Sequence, residues 1–358
     1  MTVPFRIGVM QLTMEPIEEI LEHARAMDRS GFDTIWLAEA YPWWRKHSME
    51  ARSSTALSPL VAQATERLAV GWGIISPYAR HPMQIAMEAR VTQEIAGERR
   101  FYLGLGASKI LMREIGVGDR EPARPLSAIR EAVDIVRRTL VGDAFELEGR
   151  VFTARVPALP DDAEAPRWPV PVYLAATGPK MLALAGEIAD GLLTASITTP
   201  DFVRYAREVM AEGAERVGRS MDDIDVGCTI VASIDEDPVR GRDGAREIAG
   251  MYLANKVQNI RGAADVLLQK AGLTFEEIRP VAEAMERGGR LAAKEMVTDE
   301  ILEKVRPIAG TPDECIARIE EYRQAGCRHI MLELWGADRD RQLALFGEKV
   351  LPAVKGTS

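Results

Sequence analysis

Short apolar runs alternate with longer amphipathic stretches from one end of the chain to the other. The run RIGVMQL at residues 6–12 is followed by a stretch whose apolar side chains recur at helical spacing, namely Ile17, Ile20, Leu21, Ala24 and Met27. A glycine, Gly31, follows this stretch, as is typical of a helix end. The alternation predicts repeated strand–helix units that build a parallel sheet.

Eight runs have the character of such strands. They are the segments 6–12, 34–40, 68–75, 101–107, 170–177, 191–197, 225–233 and 329–335. Eight parallel strands with intervening helices predict an α/β protein of the (β/α)₈ TIM-barrel class. An open doubly wound sheet would show the same alternation, but the first strand lacks the G-x-G-x-x-G turn of a dinucleotide-binding fold.

The chain is longer than a barrel requires, which indicates insertions. A (β/α)₈ barrel takes about 250 residues, whereas this chain has 358. Residues 145–160 alternate like a β-hairpin, and residues from about 238 to 307 have helical spacing after the seventh strand. We therefore predict one barrel domain over residues 1–358, with a helical insertion at about 238–307 that lies over one end of the barrel.

Composition and charge limit the classes of partner. The net charge of −9 and the pI near 5.3 argue against sequence-independent binding of nucleic acid or of an anionic membrane, which requires concentrated Lys and Arg. No run reaches about 18 apolar residues, and the first residues lack the pattern of a secretion signal. The three scattered cysteines fit reduced thiols. We expect a cytoplasmic protein that acts on a small molecule.

In a barrel of this class, the loops after the carboxyl ends of the strands build the catalytic face. The second strand ends near Glu39, and the polar and aromatic residues after it are Tyr41, Trp43, Trp44 and His47. A carboxylate at this place suits a proton donor or an orienting acceptor, and the rings suit a pocket wall. A surface-paired glutamate and two core tryptophans are an equally good interpretation.

Small residues at three further strand ends would leave main-chain N–H groups accessible. The third strand ends in Gly73–Ile74 with Ser76 beyond it, the fourth in Gly106–Ala107–Ser108, and the fifth in Ala176–Thr177–Gly178, directly before a helix that begins at Pro179. A helix N-terminus combines free N–H groups with the positive end of the helix dipole and suits an anion. A capped helix with nothing bound would explain the fifth strand end alone. Three such ends together favour a ligand with a ring and a phosphate.

Several catalytic signatures are missing from the sequence. It contains no H-E-x-x-H, no paired cysteines, no G-x-S-x-G and no P-loop. These motifs mark zinc hydrolases, α/β-hydrolases and nucleotide hydrolases, and we predict no metal site. The absence of a catalytic motif made of side chains favours a bound organic cofactor.

At its strand ends the chain resembles the bacterial-luciferase-like family of (β/α)₈ oxidoreductases, and most closely the deazaflavin branch that includes methylenetetrahydromethanopterin reductase. Four segments carry the resemblance: VGWGIISPYARHP, FYLGLGASKI, AATGPKMLALAGEIADG and AGTPDECIARIEEYRQAGCRHIMLEL. The resemblance extends over nearly the whole chain. The segments are specific together, although none is specific alone.

The resemblance implies a flavin-type ring on the carboxyl-terminal face of the barrel. It implies a non-proline cis peptide between Gly73 and Ile74 behind the ring, with Ser76 nearby. The phosphate contacts that it implies are Gly106, Ala107 and Ser108 together with Ala176, Thr177, Gly178 and Pro179. The sequence of the fifth strand end is similar to that of coenzyme F420 enzymes, so the resemblance implies F420 as the cofactor. FMN is the alternative cofactor.

The resemblance also implies a reaction and an assembly. With F420 the enzyme would transfer a hydride to or from a C=N, C=O or activated C=C bond, whereas with FMN it would be a monooxygenase. A non-catalytic flavin-binding protein is a third possibility. Family members commonly dimerise through barrel helices, so we expect a homodimer.

The second strand end departs from part of the family. Sugar-phosphate dehydrogenases of this branch have an Asp-His pair there, and this chain has Glu39–Ala40. We therefore expect Glu39 to be the acid/base or orienting group. The aromatic residues after it suggest contacts with a bulky substrate.

Overall fold

The structure is a computed structural model that describes residues 4–39, 50–108, 112, 116, 124–158, 167–259, 263–335 and 338–356. Its strands are β1 (Arg6–Leu12), β2 (Thr34–Ala38), β3 (Ala69–Trp72), β4 (Phe101–Leu105), β5 (Phe145–Glu148), β6 (Thr153–Val156), β7 (Val172–Ala175), β8 (Gly191–Leu193), β9 (Asp225–Ile234), β10 (Ile308–Gly310) and β11 (His329–Glu333). Each of the eight strands predicted from the sequence is present.

Eight of these strands close into a parallel barrel in the order β1-β2-β3-β4-β7-β8-β9-β11, and β11 pairs again with β1. This closure confirms the (β/α)₈ prediction and excludes the open doubly wound sheet. The segments β5 and β6 form the predicted antiparallel hairpin between the fourth and fifth barrel strands. Strand β10 was not predicted, and it extends the carboxyl half of β9.

The helices follow the strands in the expected alternation. They are α1 (Ile17–Ser30), α2 (Ser54–Ala64), α3 (Pro82–Ala96), α4 (Pro125–Val141), α5 (Pro179–Ile188), α6 (Pro200–Arg216), α7 (Pro238–Asn259), α8 (Ala263–Ala271), α9 (Phe275–Glu295), α10 (Asp299–Val305), α11 (Pro312–Gln324), α12 (Arg339–Leu345) and α13 (Leu351–Lys355), with a 3₁₀ turn at Met221–Asp223 and a π-helical turn at Phe346–Val350. Helices α7 to α10 lie between β9 and β10, in the region of the predicted insertion. The division of the chain into domains stays a prediction.

Alternate strand residues serve two separate cores, as the period of a β-strand requires. Val9 and Ile35 belong to the large core that includes helix residues such as Ile20 of α1. Met10 and Trp36 belong to a smaller apolar cluster inside the barrel. The Trp36 ring fits because residue 71 is glycine: a Cβ atom at that position would lie 2.4 Å from the ring. The barrel interior is therefore packed at this level.

A buried polar cluster occupies the amino end of the barrel, where β1, β9 and β11 begin. Arg6 pairs with Asp225, and the Nδ1 atom of His329 lies 3.3 Å from an Asp225 oxygen. The hydroxyl of Tyr173 also donates to Asp225. Burial alone would raise the pKa of Asp225, but His329 and Arg6 lower it to about 2. The cluster lies at the end of the barrel opposite to the strand ends predicted to bind a ligand.

Among the described residues, no helix has both the length and the apolar character that crossing a bilayer would require.

Candidate functional site

A cavity of about 470 Å³ lies at the carboxyl ends of the barrel strands. Seven barrel strands or the loops directly after them contribute to its wall, and Thr229 adds the eighth from within β9. Helix α7 contributes Tyr252, Asn255 and Lys256 to the same wall. The insertion therefore lies over the end of the barrel at which enzymes of this fold class hold their active sites.

The cavity brings together part of the predicted site. Its wall includes Glu39, Gly73, Ile74, Ser108, Ala176 and Thr177. Ser76, Gly106, Ala107, Gly178 and Pro179 adjoin these residues in the chain but are not in the wall. The predicted substrate contacts Tyr41, Trp43, Trp44 and His47 lie outside the described residues. Their roles stay predictions.

Main-chain N–H groups beside the cavity lack acceptors at two neighbouring strand ends. No described group accepts a hydrogen bond from the amides of Ala107 or Ser108 after β4, or of Thr177, Gly178 or Lys180 after β7. Leu105 of β4 pairs with Leu174 of β7, so both sets continue from paired strands. Gly178 caps α5 without a side-chain hydrogen bond. These amides are therefore available to an anion at the mouth of α5.

Two other amides of the predicted phosphate site already have partners. The Gly106 amide donates to the Ile75 carbonyl at 3.1 Å, and the Ala176 amide donates to the Leu193 carbonyl at 3.2 Å. Glycine at 106 instead permits close packing, because a Cβ atom there would lie 2.8 Å from the Ile74 side chain. Gly106 and Ala176 thus position the strand ends, and the free donors lie in the residues that follow them.

The peptide bond between Gly73 and Ile74 is cis, as the resemblance implies. Both residues line the cavity. The chain then returns toward β4, where the Ser76 hydroxyl donates to the Ala107 carbonyl at 3.4 Å. The third and fourth strand ends are therefore linked beside the cavity.

Both carboxylate oxygens of Glu39 already have donors. One oxygen accepts from the Arg80 guanidinium at 2.8 Å, and the other accepts from the Ser54 amide at 2.8 Å, at the start of α2. Arg80 also lies 3.6 Å from a Glu88 oxygen. This arrangement fixes the orientation of Glu39 and suits a positioning role better than proton transfer.

A second glutamate in the cavity wall was missed by the sequence analysis. Glu333 ends β11 and is 2 % exposed. Its Oε1 atom accepts from the Ser196 hydroxyl at 2.8 Å and from the Tyr252 hydroxyl at 2.7 Å, while its Oε2 atom has no hydrogen-bond partner among the described residues. Burial raises the pKa of Glu333 to about 7, although both donors oppose the change. The hydroxyl of Thr194, in the same wall, also lacks a partner.

The cavity wall also includes an amine that has no ion-pair partner among the described residues. Lys256 of α7 is 8 % exposed, and no described carboxylate lies within ion-pair distance of it. Burial lowers the pKa of Lys256 to about 8. The described residues contain no group of His, Cys, Asp and Glu side chains arranged to hold a metal ion.

The variant Lys256→Met should be more stable than the wild type. Removing an unpaired buried charge should raise the free energy of unfolding at pH 7 by roughly 1–3 kcal/mol, measured by urea denaturation. Because the folded pKa is lowered, wild-type stability should rise as the pH increases from about 8 toward 10.5. The variant should lack this rise. As a control, Lys349→Met removes an exposed amine that pairs with Glu236 and should cost less than about 1 kcal/mol.

A match over most of the chain shows the family to which it belongs. Residues 1–329 match the family model described as luciferase-like monooxygenase. The chain belongs to this family. The match confirms the resemblance found at the strand ends.

Several relatives of this luciferase-like protein are F420-related enzymes. This chain is 29% identical over 346 residues to 5,10-methylenetetrahydromethanopterin reductase from Archaeoglobus fulgidus. The aligned region covers 94% of this chain and 96% of that relative. The chain is 27% identical to F420-dependent glucose-6-phosphate dehydrogenase from Amycolatopsis mediterranei, with 94% of each chain covered. The solved coenzyme F420 dependent tetrahydromethanopterin reductase from Methanopyrus kandleri superposes with a TM-score of 0.85 at 26% identity, covering 98% of this chain and 100% of that one. The luciferase-like chain is thus an oxidoreductase.

Proposed function

We propose that this oxidoreductase uses coenzyme F420 to transfer a hydride to or from a small organic substrate with a C=N, C=O or activated C=C bond. The observation that carries the proposal is the pair of strand ends, after β4 and β7, whose main-chain amides have no acceptors among the described residues beside the cavity. The names of similar proteins, which include F420-dependent enzymes, support this cofactor over FMN.

The described residues fit such a cofactor. We assign its phosphate to the amides of Ala107, Ser108, Thr177 and Gly178, with Pro179 starting the helix behind them. We assign its ring to the wall at Gly73–Ile74, with Ser76 holding the adjoining loop. A bound deazaflavin supplies a hydride and does not activate oxygen, whereas FMN would support oxygenation.

The substrate then lies between the ring and the remaining wall. In this proposal Glu39, held by Arg80, orients the substrate and does not exchange a proton with it. The residues Tyr41, Trp43, Trp44 and His47 follow Glu39 in the chain and are proposed to contact a bulky substrate. This assignment comes from the sequence.

Equilibrium titration with two cofactors tests the proposal. Purified protein should quench F420 fluorescence saturably and should show no binding of FMN. Binding of FMN without F420 would replace the proposal with an FMN-dependent monooxygenase. Binding of neither cofactor would remove the cofactor site from the cavity.

We also propose that the protein acts as a homodimer. Met87, Val91 and Ile95 form an exposed apolar stripe along α3, and Leu60 of the neighbouring α2 is exposed as well. Continuous apolar surface of this kind marks protein interfaces. Sedimentation velocity should give a dimer for the wild type and a monomer for Met87→Glu/Val91→Glu. A wild type that sediments as a monomer would contradict the proposal.

A cytoplasmic location completes the proposal. Cys228, Cys315 and Cys327 are all buried free thiols. Free thiols are typical of reducing compartments. The partners proposed in this way are F420, a small-molecule substrate and a second copy of the chain.

A further inference from the structure

The carboxyl group of Glu333 differs from the other acidic groups of the cavity wall. It ends a barrel strand on the catalytic face, and its Oε2 atom is buried without a partner in the part of the chain that the structure describes. Two hydroxyls hold its other oxygen from different elements: Ser196 from the loop after β8 and Tyr252 from α7. A buried carboxyl oxygen normally has a hydrogen-bond partner, and a ligand would supply the one that the described residues do not.

We propose that Glu333 is the catalytic acid/base that exchanges a proton with the heteroatom of a carbonyl or imine substrate during hydride transfer. This inference rests on the proposed function. Ser196 and Tyr252 are positioning residues, because they contact Glu333 and hold it with Oε2 free.

The proposed step balances in atoms and charge. A hydride would pass from the reduced deazaflavin to the substrate carbon, so that a C–H bond of the cofactor breaks and a C–H bond forms at the substrate. The cofactor would be oxidised and the substrate reduced, and the π electron pair of the C=O or C=N bond would move to the heteroatom. The proton on Glu333 Oε2 then bonds to that heteroatom, giving an alcohol or an amine. Glu333 is left as a carboxylate whose Oε1 atom is stabilised by two hydroxyl donors. The reverse direction returns the proton to Oε2.

The other titratable groups in the described wall are less suited to this exchange. Both oxygens of Glu39 have donors. The Tyr252 hydroxyl is committed to Glu333, and burial together with Glu333 raises the pKa of Tyr252 well above its usual value. Lys256 is the remaining titratable group of the described wall, and no described carboxylate lies within ion-pair distance to orient its amine. Glu333 alone combines a fixed carboxyl, a free oxygen and a pKa near neutrality.

The first test needs no substrate. In protein labelled with ¹³C at glutamate carboxyls, the resonance that disappears in Glu333→Gln should titrate with a midpoint near 7. Tyr252→Phe should move this midpoint upward, because the lost donor favours the ionised form. The matched control Glu348→Gln removes an exposed glutamate and should leave the Glu333 midpoint unchanged. A Glu333 midpoint at the ordinary value would overturn the inference.

The second test measures turnover. Oxidation of reduced F420 is followed with cyclohexanone as the carbonyl probe and 1-pyrroline as the imine probe. Glu333→Gln should lower kcat by about 10²- to 10⁴-fold, remove the wild-type pH dependence near neutrality, and leave F420 affinity within about 2-fold. Glu348→Gln should match the wild type in all three measurements.

The outcomes separate the two proposals. Failure of the wild type to bind F420 would remove the proposed function, and the carboxyl titration would still report on Glu333. Unchanged turnover in Glu333→Gln, with F420 binding intact, would overturn the role of Glu333 alone. Loss of F420 binding in Glu333→Gln would instead indicate a structural role and would also overturn the inference.

Discussion

The double variant Thr177→Val/Gly178→Glu should lose F420 binding while keeping its fold. The change removes a hydroxyl and places a carboxylate among the free amides at the start of α5. The new carboxylate would repel the phosphate and compete with it for these amides. Displacing two charge-assisted hydrogen bonds, at about 1.5–3 kcal/mol each, predicts at least a 100-fold weaker affinity by fluorescence titration. The main chain of Gly178 has φ −88° and ψ 151°, which any residue can adopt, so thermal melting should show little change.

A milder double variant provides the control. Thr177→Ser/Gly178→Ala keeps the hydroxyl and adds one methyl group without charge, so its F420 affinity should stay within about 10-fold of the wild type. Wild-type affinity in Thr177→Val/Gly178→Glu would show that the anion lies elsewhere. An equal loss in both variants would point to disturbance of the main chain, and the assignment of the phosphate to these amides would fail.

The barrel could be predicted from the sequence because its strands are buried on both faces and form continuous apolar runs. Six of the eight predicted strands extended too far at their carboxyl ends, whereas β1 ends as predicted and β9 ends one residue later than predicted. For example, the predicted strand at 191–197 is longer than β8, which ends at Leu193. The residues that follow β8, Thr194, Ala195 and Ser196, line the cavity instead of continuing the strand. Strand β10 is only three residues long and gives no periodic signal.

The candidate site could be predicted only in part. Glycine and proline at the strand ends indicate the part of the cavity wall that we propose binds the cofactor. These residues indicate the main-chain turns in which amide groups are left free. The polar side chains elsewhere in the cavity wall have no comparable signal in the sequence. Glu333 ends an apolar run, as Glu39 does, and the rule that catalytic groups follow barrel strands applies equally to it. Lys256 is one of many charges on an insertion helix, and only the fold shows that its amine is buried.

At the opposite end of the barrel, Asp225→Asn should cause a large loss of stability. Asparagine would keep the size of the side chain but would leave the Arg6 guanidinium partly buried without its carboxylate partner. Removing one partner of a buried pair typically costs about 3–5 kcal/mol of the free energy of unfolding. Guanidinium denaturation should detect this loss. F420 affinity of the folded variant should be unchanged, because Asp225 does not line the cavity.

The pH dependence distinguishes the loss of this ion pair from a general packing defect. Because the folded pKa of Asp225 is lowered from 3.8 to about 2, its contribution is complete above pH 3.8 and is lost as the pH falls toward 2. The shift corresponds to roughly 2–3 kcal/mol of wild-type stability, and Asp225→Asn should lack this acid-dependent component. The matched variant Asp222→Asn removes an exposed carboxylate that pairs with Arg328, and it should cost less than about 1 kcal/mol. Equal losses in the two variants would contradict the argument, because burial is the property that separates the two aspartates.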